Sequence, residues 1–558
     1  MNRGTKIFRG VSAGPALVRP RLVRNLSSQW LRSIRGTGWA GSALVLAVAL
    51  MVISTARGEE TTPPRVRVEG GALRGVLVDG IRMFKNIPYA APPVGPLRWR
   101  PPQPSDRWSG ERDASAFGPP CPLADQTKLS QGVAINGPGY DVWENVPPDP
   151  ASREDCLHLN IWAPAGARRA AVMVWIQPLA GGSHPWWNGT AFAQAGVIMV
   201  TLDSRQMTTG IFAHPALTKE ARPDEPFGRF QTMDQMAALR WVKRNIAAFG
   251  GDPANVTIFG ESAGGASVLQ LLTISSAKGL FDKAIVQSGS GWGSPLTQAE
   301  MEIVGSWMAS RAGLPGKDAT AAQLRALPMG ALPWLGVINI DGRMARESLT
   351  DIIDAGRAID VPLMVGWNDF DGSSLRYGLQ AVVDNMSDKV KAAYAAENKT
   401  GDDLAYQLYT DNHNGAPARW TAARTAAGAP SYLYLFSYVP QQNRGKVRGA
   451  AHGQEMSYLF ESWGALAPGA PITDEMRAVG RMIRSCWVSF AKTGKPVCEG
   501  APDWPRYAPT DDRLMELNQS PRVLQHFRKA QLDAQEAAMP DQSREVRRAI
   551  ERWVASLR

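Results

Sequence analysis

The stretch Gly260-Glu261-Ser262-Ala263-Gly264 sets a serine hydroxyl between two glycines, with a carboxylate immediately before it. A serine hydroxyl is a weak nucleophile near neutral pH; it performs acyl transfer only when a base takes its proton and a third group orients that base. The G-x-S-x-G spacing fits a sharp strand-to-helix turn, where a Cβ at either glycine would crowd neighbouring backbone. Val256-Thr257-Ile258-Phe259 reads as a short buried strand before the turn, and residues 266–272 read as a helix after it. Ser262 is therefore the candidate nucleophile.

In such a turn the acid and then the base follow the serine along the chain. Three histidines lie downstream. His413, in Asp411-Asn412-His413-Asn414-Gly415, reads as an exposed turn, and His526 lies on a polar helical stretch near the end. His452 stands in the small-residue loop Gly449-Ala450-Ala451-His452-Gly453, after the strand 432–436, where a loop-borne base is expected. The acid should follow a strand between these points. The strand 361–365 is followed by Gly366-Trp367-Asn368-Asp369-Phe370-Asp371-Gly372, and composition does not separate Asp369 from Asp371.

The elements that must position these groups alternate in type. From Arg65 to about Arg82 the pattern predicts a small β meander, followed by a Pro-rich loop. Residues 158–162, 172–176 and 197–202 are compact strand-like runs, the last two of the kind buried on both faces. Residues 234–249 carry apolar side chains at helical spacing and stop at Gly250-Gly251. Further strands are expected at 284–287 and 432–436. Strands alternating with helices predict an α/β fold, a mostly parallel central sheet covered by helices on both faces, with the meander at its N-terminal side.

Of the formal net charge of +10, eight units come from residues 1–56, which hold eight basic residues and no acidic one. The remaining +2 gives no reason to expect a nucleic-acid partner. Residues 1–56 also have the parts of a secretory leader: a basic region, the apolar run 43–53, and Ser54-Thr55-Ala56, where cleavage is expected. An apolar run that short falls below the roughly 20 residues a membrane span needs. The expected organisation is a leader over 1–56, one catalytic domain over 57–558, export, and no stable membrane anchor after cleavage. Four cysteines in such a chain suggest two disulfides, Cys121–Cys156 and Cys486–Cys498, each closing a short local loop. The six histidines show no metal-ligand spacing, so neither metal nor other cofactor is expected.

From about Arg65 to about Leu517 the chain resembles the type-B carboxylesterases, the cholinesterase-like branch of the α/β-hydrolases. The resemblance rests on Phe84-Lys85-Asn86-Ile87-Pro88-Tyr89-Ala90, Pro92-Pro93-Val94-Gly95-Pro96-Leu97-Arg98, Glu154-Asp155-Cys156-Leu157, the run from Asn245 to Pro253, Gln287-Ser288-Gly289-Ser290, and His452-Gly453. It implies an α/β-hydrolase fold and a serine esterase acting on small-molecule esters, with Asp371 as the acid, in place of the glutamate most members carry. It also implies the pairing Cys121–Cys156. Two blocks depart. Where members carry a His-Gly-Gly-Gly type run, this chain reads Gln177-Pro178-Leu179-Ala180-Gly181-Gly182. Pro178 has no N–H to give. Aligned on the preceding strand, the oxyanion donors fall at Leu179 and Ala180, joined by Ala263; another register uses Gly181 and Gly182. The usual Asn-x-Gly ahead of the Asp-Gln helix is replaced by Arg229-Phe230-Gln231. Of the tryptophans near the expected site, Trp187 and Trp292 are candidates for the substrate pocket. The alternatives to an esterase are a catalytically silent binding or adhesion module of the same fold and a lipase.

Overall fold

The computed structural model describes residues 63–122, 152–178, 181–289, 292–332, 339–375, 378–463 and 471–557. Eleven strands form the main sheet: β1 (Val76–Val78), β2 (Ile81–Pro88), β3 (His158–Pro164), β4 (Ala170–Ile176), β5 (Ile198–Leu202), β6 (Gly251–Glu261), β7 (Lys283–Gln287), β8 (Leu363–Asn368), β9 (Ser431–Phe436), β10 (Arg513–Leu517) and β11 (Arg522–Gln525). Their spatial order is β11-β10-β9-β8-β7-β6-β4-β5-β3-β2-β1. Every neighbouring pair from β10 to β5 is parallel. Antiparallel pairing is confined to the two ends. This is the α/β-hydrolase arrangement. The meander expected over 65–82 divides: β1 and β2 join the main sheet, whereas Arg65–Val68 and Gly71–Arg74 pair with each other and with Glu111–Asp113 in a separate small sheet.

Strand alternation explains why both faces are apolar. In β4, Val172, Val174 and Ile176 enter one core, and Met173 and Trp175 the other. Helices α1 (Phe230–Asn245), α2 (Ala263–Thr273), α3 (Gly401–Thr410), α4 (Ala416–Thr425), α5 (Asp474–Thr493) and α6 (Lys529–Ser556) supply most of the cover used below. Leu239 of α1, Leu271 of α2 and Trp420 of α4 pack into the first core, and Ile483, Trp487 and Phe490 of α5 into the second. The hydroxyl of Thr473 caps the start of α5 by accepting the Met476 N–H, and Gly494 ends it in the left-handed region at φ 78°.

Several boundaries differ from the sequence reading. The strand expected at 361–365 begins at Leu363, after Pro362, and runs on through Asn368, because β7 and β9 supply partners on both sides. His526 is not helical; it follows the hairpin strand β11, and α6 starts three residues later. That terminal helix lies against the domain: Leu532 enters the first core, and Arg419 of α4 pairs with Asp533 and, at 2.7 Å, with Glu536. The disulfides Cys121–Cys156 and Cys486–Cys498 are both formed. Among the described residues no helix is long and apolar enough to cross a membrane.

Candidate active site

Ser262 sits at the junction of β6 and α2 with φ 54° and ψ −122°, a backbone conformation sterically disfavoured for any residue with a Cβ. The neighbouring packing enforces it. A Cβ on Gly260 would lie 2.5 Å from the carbonyl carbon of Gly264, and one on Gly264 would lie 2.0 Å from the carbonyl oxygen of Ile176 in β4. Ser262 N–H donates to Gln287 O of β7 at 2.9 Å, which fixes the turn to the neighbouring strand. The hydroxyl is thus lifted off the carboxyl end of the sheet, where open α/β sheets place their ligands.

The structure brings Ser262, His452 and Asp371 together. His452 Nε2 lies 2.8 Å from Ser262 Oγ, and Nδ1 lies 2.7 Å from Asp371 Oδ1. Asp371 follows β8 in a short 3-10 turn, and its other oxygen accepts the Asn368 N–H at 3.0 Å. His452 lies on the long loop after β9, and its own N–H donates to Ser373 Oγ at 2.8 Å. Asp369, the other carboxylate of the pair left open by composition, turns away and accepts the Ala450 N–H, anchoring the histidine loop to β8. Asn368 completes that anchor by donating to Ala451 O and to Glu455 Oε2. A hydroxyl, an imidazole and a carboxylate linked in this way can move a proton off the hydroxyl while the carboxylate holds the ring.

Two further buried acids face the imidazole. Glu261 Oε1 is 3.2 Å from His452 Nε2, and neither Glu261 oxygen meets hydrogen-bond geometry with a described residue. Burial pushes this carboxyl up to about 8. Glu455, tied to Gln287 and Asn368, is likewise pushed up by burial, to about 7. For His452, burial works against the proton, but Glu261, Asp371 and Glu455 outweigh it and raise the imidazole above its ordinary 6.5. Neither glutamate figured in the sequence reading as a site residue. Glu261 was in plain view beside the serine, but only its burial gives it weight.

The hydroxyl opens onto a cavity of about 620 Å³. Ala263, whose N–H belongs to the first turn of α2, lines it beside Ser262. Leu179 and Ala180 lie outside the described residues. In the other register, neither Gly181 nor Gly182 is among the residues that line the cavity. Trp292 lines the cavity, edge-on to Trp420. Trp187 does not reach it: this ring is packed in the second core against Trp175 and Phe460 on the far face of the sheet, where its apolar area is best buried. His413 is exposed, as expected, but it occupies a π-helical turn between α3 and α4, stacks on Tyr409 at 4.9 Å, and lines the cavity that His452 also lines. What makes this polar run turn inward is Asp411, buried and paired with Arg528 at 2.7 Å, a partner more than a hundred residues away that no local pattern could reveal.

The carboxylesterase family profile matches residues 62–401 and 368–535. The chain is 32% identical over 539 residues to the fumonisin B1 esterase of Sphingopyxis macrogoltabida, covering 89% of this chain and 93% of that protein. It is 32% identical over 477 residues to the para-nitrobenzyl esterase of Bacillus subtilis, covering 79% and 92%. Among solved structures, a PNB esterase superposes with a TM-score of 0.70 at 29% identity, over 85% of this chain and 99% of that one. The Geobacillus stearothermophilus carboxylesterase at pH 6.2 gives 0.70 at 30% identity, over 84% and 99%.

Proposed function

The chain belongs to the carboxylesterase family and is a carboxylesterase, and from that premise we propose that it hydrolyses small-molecule esters through a covalent acyl-enzyme on Ser262. His452 takes the hydroxyl proton as Ser262 attacks the ester carbonyl, and gives it to the departing alcohol. Asp371 holds the ring in the required tautomer and stabilises the imidazolium. Water, activated by the same imidazole, then releases the acid. The developing oxyanion is received by the Ala263 N–H at the positive end of α2, with Leu179 and Ala180 as the partner donors. The observation that carries this reading is the continuous contact from Ser262 Oγ through His452 to Asp371, at 2.8 and 2.7 Å.

The test is labelling of the protein with a fluorophosphonate probe alongside turnover of p-nitrophenyl acetate, in the wild type and in Ser262→Ala. Both signals are expected in the first and neither in the second. A wild type that stays unlabelled would favour a silent binding module. We also read residues 1–56 as a leader removed on export, leaving one catalytic domain; the two disulfides are compatible with an oxidising compartment. N-terminal sequencing of the exported protein should begin at Arg57.

A further inference from the structure

Four arginines are buried among the described residues: Arg205, Arg229, Arg419 and Arg484. Three of them touch a carboxylate directly: Arg205 meets Asp234 at 2.7 Å, Arg419 meets Glu536 at 2.7 Å, and Arg484 meets Glu461 at 2.6 Å. That is the usual condition for burying a guanidinium, since an unpaired charge in the interior is costly. Arg229 is the exception. It stands just before α1, at the position where the sequence departs from the family's asparagine, and it lines the same cavity as Ser262 and His452.

Its contacts are neutral. Nη1 donates to the backbone oxygen of Asn339 at 3.2 Å, and Nη2 donates to Oε1 of Gln270. A guanidinium has five N–H donors, so two are matched and both by uncharged oxygens. The nearby carboxylate, Asp341, is already engaged by the backbone N–H groups of Phe227, Arg343, Met344 and Ala345, and makes no ion pair with Arg229. Glu347, also on the cavity wall, is exposed and bound in two-pronged fashion by Arg357, at 2.7 and 2.6 Å. The remaining acids of the site do not line the cavity: Asp371 contacts His452 Nδ1, Glu261 lies 3.2 Å from Nε2, and Glu455 is tied to Gln287 and Asn368. Burial lowers the Arg229 guanidinium only to about 10, so it stays cationic at neutral pH. The wall of the cavity therefore carries a positive charge that no described carboxylate contacts directly, with Asp341 acting on it only from a distance.

We propose that this cavity takes esters bearing a free carboxylate remote from the ester bond, and that Arg229 receives that carboxylate. The inference rests on Ser262 being the acylated residue. A guanidinium with unused N–H groups, held in place by Gln270 and Asn339, offers a carboxylate charge-assisted bonds in a site of low dielectric. The spacing sets the length. Gln270 is eight residues beyond Ser262 on α2; at 1.5 Å per residue that is about 12 Å along the axis, less the backward lean of a long helical side chain, hence on the order of 10 Å from hydroxyl to anion. Dicarboxylic half-esters with a chain of several methylenes span this, and short ones do not.

The test compares p-nitrophenyl hydrogen suberate with its methyl-capped counterpart. The wild type should favour the free acid by about tenfold to a hundredfold in kcat/KM, the range expected of a hydrogen bond to a charged group, and the succinate analogue should show no such preference. Arg229→Gln should erase the preference, and Arg229→Lys should keep part of it. A measurement independent of any variant is inhibition of neutral-ester turnover: suberate should compete in the wild type, and neutral suberamide should not. Equal kcat/KM for the two suberates, or a preference that survives Arg229→Gln, overturns the inference and leaves the esterase reading standing. Absence of both turnover and fluorophosphonate labelling overturns the esterase reading, and this inference with it.

Discussion

Ser262, Asp371 and His452 all stand on turns leaving the carboxyl ends of β6, β8 and β9, whereas Arg229, Trp292, His413 and Ile550 reach the same cavity from a helix start, a loop, a π-turn and the terminal helix. The first wall is held by backbone. The elbow is clamped by Ile176 O and Gln287 O, and the histidine loop is anchored by Asp369, Asn368 and Ser373. The second wall is held by side chains from elements far apart in sequence, such as the Asp411–Arg528 pair under His413. Chemistry needs positions fixed to a fraction of an ångström, which strand ends provide; recognition tolerates, and here uses, parts that can change without disturbing the sheet.

The largest expected effects break the first wall. Asp371→Asn leaves the packing almost intact but removes the charge that holds the imidazole, so kcat should fall by about 10⁴-fold while the thermal midpoint changes little; steady-state kinetics and a melting curve check both halves. Gly264→Ala should act on folding. Its Cβ would meet Ile176 O at 2.0 Å, a backbone atom that cannot step aside without moving β4. A destabilisation of about 3 kcal/mol is expected by denaturant titration, at the upper end of overpacking costs. If Gly264→Ala were neutral, the idea that backbone clamps this wall would be wrong.

Glu261→Gln sharpens the comparison by changing charge without shape. Glu261 is the first of the carboxylates that hold the proton on His452. The acid limb of kcat/KM reports protonation of the free enzyme's base, so removing this charge should move that limb to lower pH. The same substitution has a stability signature. The Glu261 carboxyl is raised from 4.5 to about 8 on folding, so the folded protein binds this proton more tightly than the unfolded chain, and stability falls as pH rises through that window. In Glu261→Gln this contribution to the slope should vanish, as melts across the window would show.

The contrast between the walls also explains what could be read from the chain. Gly260 and Gly264 announce the elbow because the steric requirement is local, and the parallel sheet follows from β-branched runs buried on both faces. Asp371 could not be told from Asp369 by composition, since the choice depends on which carboxyl the turn after β8 directs at a histidine eighty-one residues on. Trp187 and Trp292 looked alike in sequence; one fills the core beneath Trp175 and the other borders the cavity, a difference decided by which face of the sheet each segment covers. Arg229 was visible only as a departure, and its meaning depends on Asp341 being occupied elsewhere. The terminal helix lies against the domain, and the face that carries Ile550 also borders the cavity.

That face gives the smallest expected effect and the finest test of the second wall. Ile550, near the end of α6, lines the cavity, and its helix is fixed to the body by the Arg547–Glu300 ion pair and by Ser294 donating to Ser543 O at 3.2 Å. Ile550→Ala removes a few methylene equivalents of apolar wall, each worth about 0.8 kcal/mol when fully buried and less here, where the side chain is partly exposed. KM for long-chain p-nitrophenyl esters should therefore rise by at most about tenfold, with a smaller change for acetate, which is too short to touch that wall. A uniform fall in kcat across chain lengths would mean instead that α6 supports the chemical wall, and the division drawn between the two would have to be redrawn.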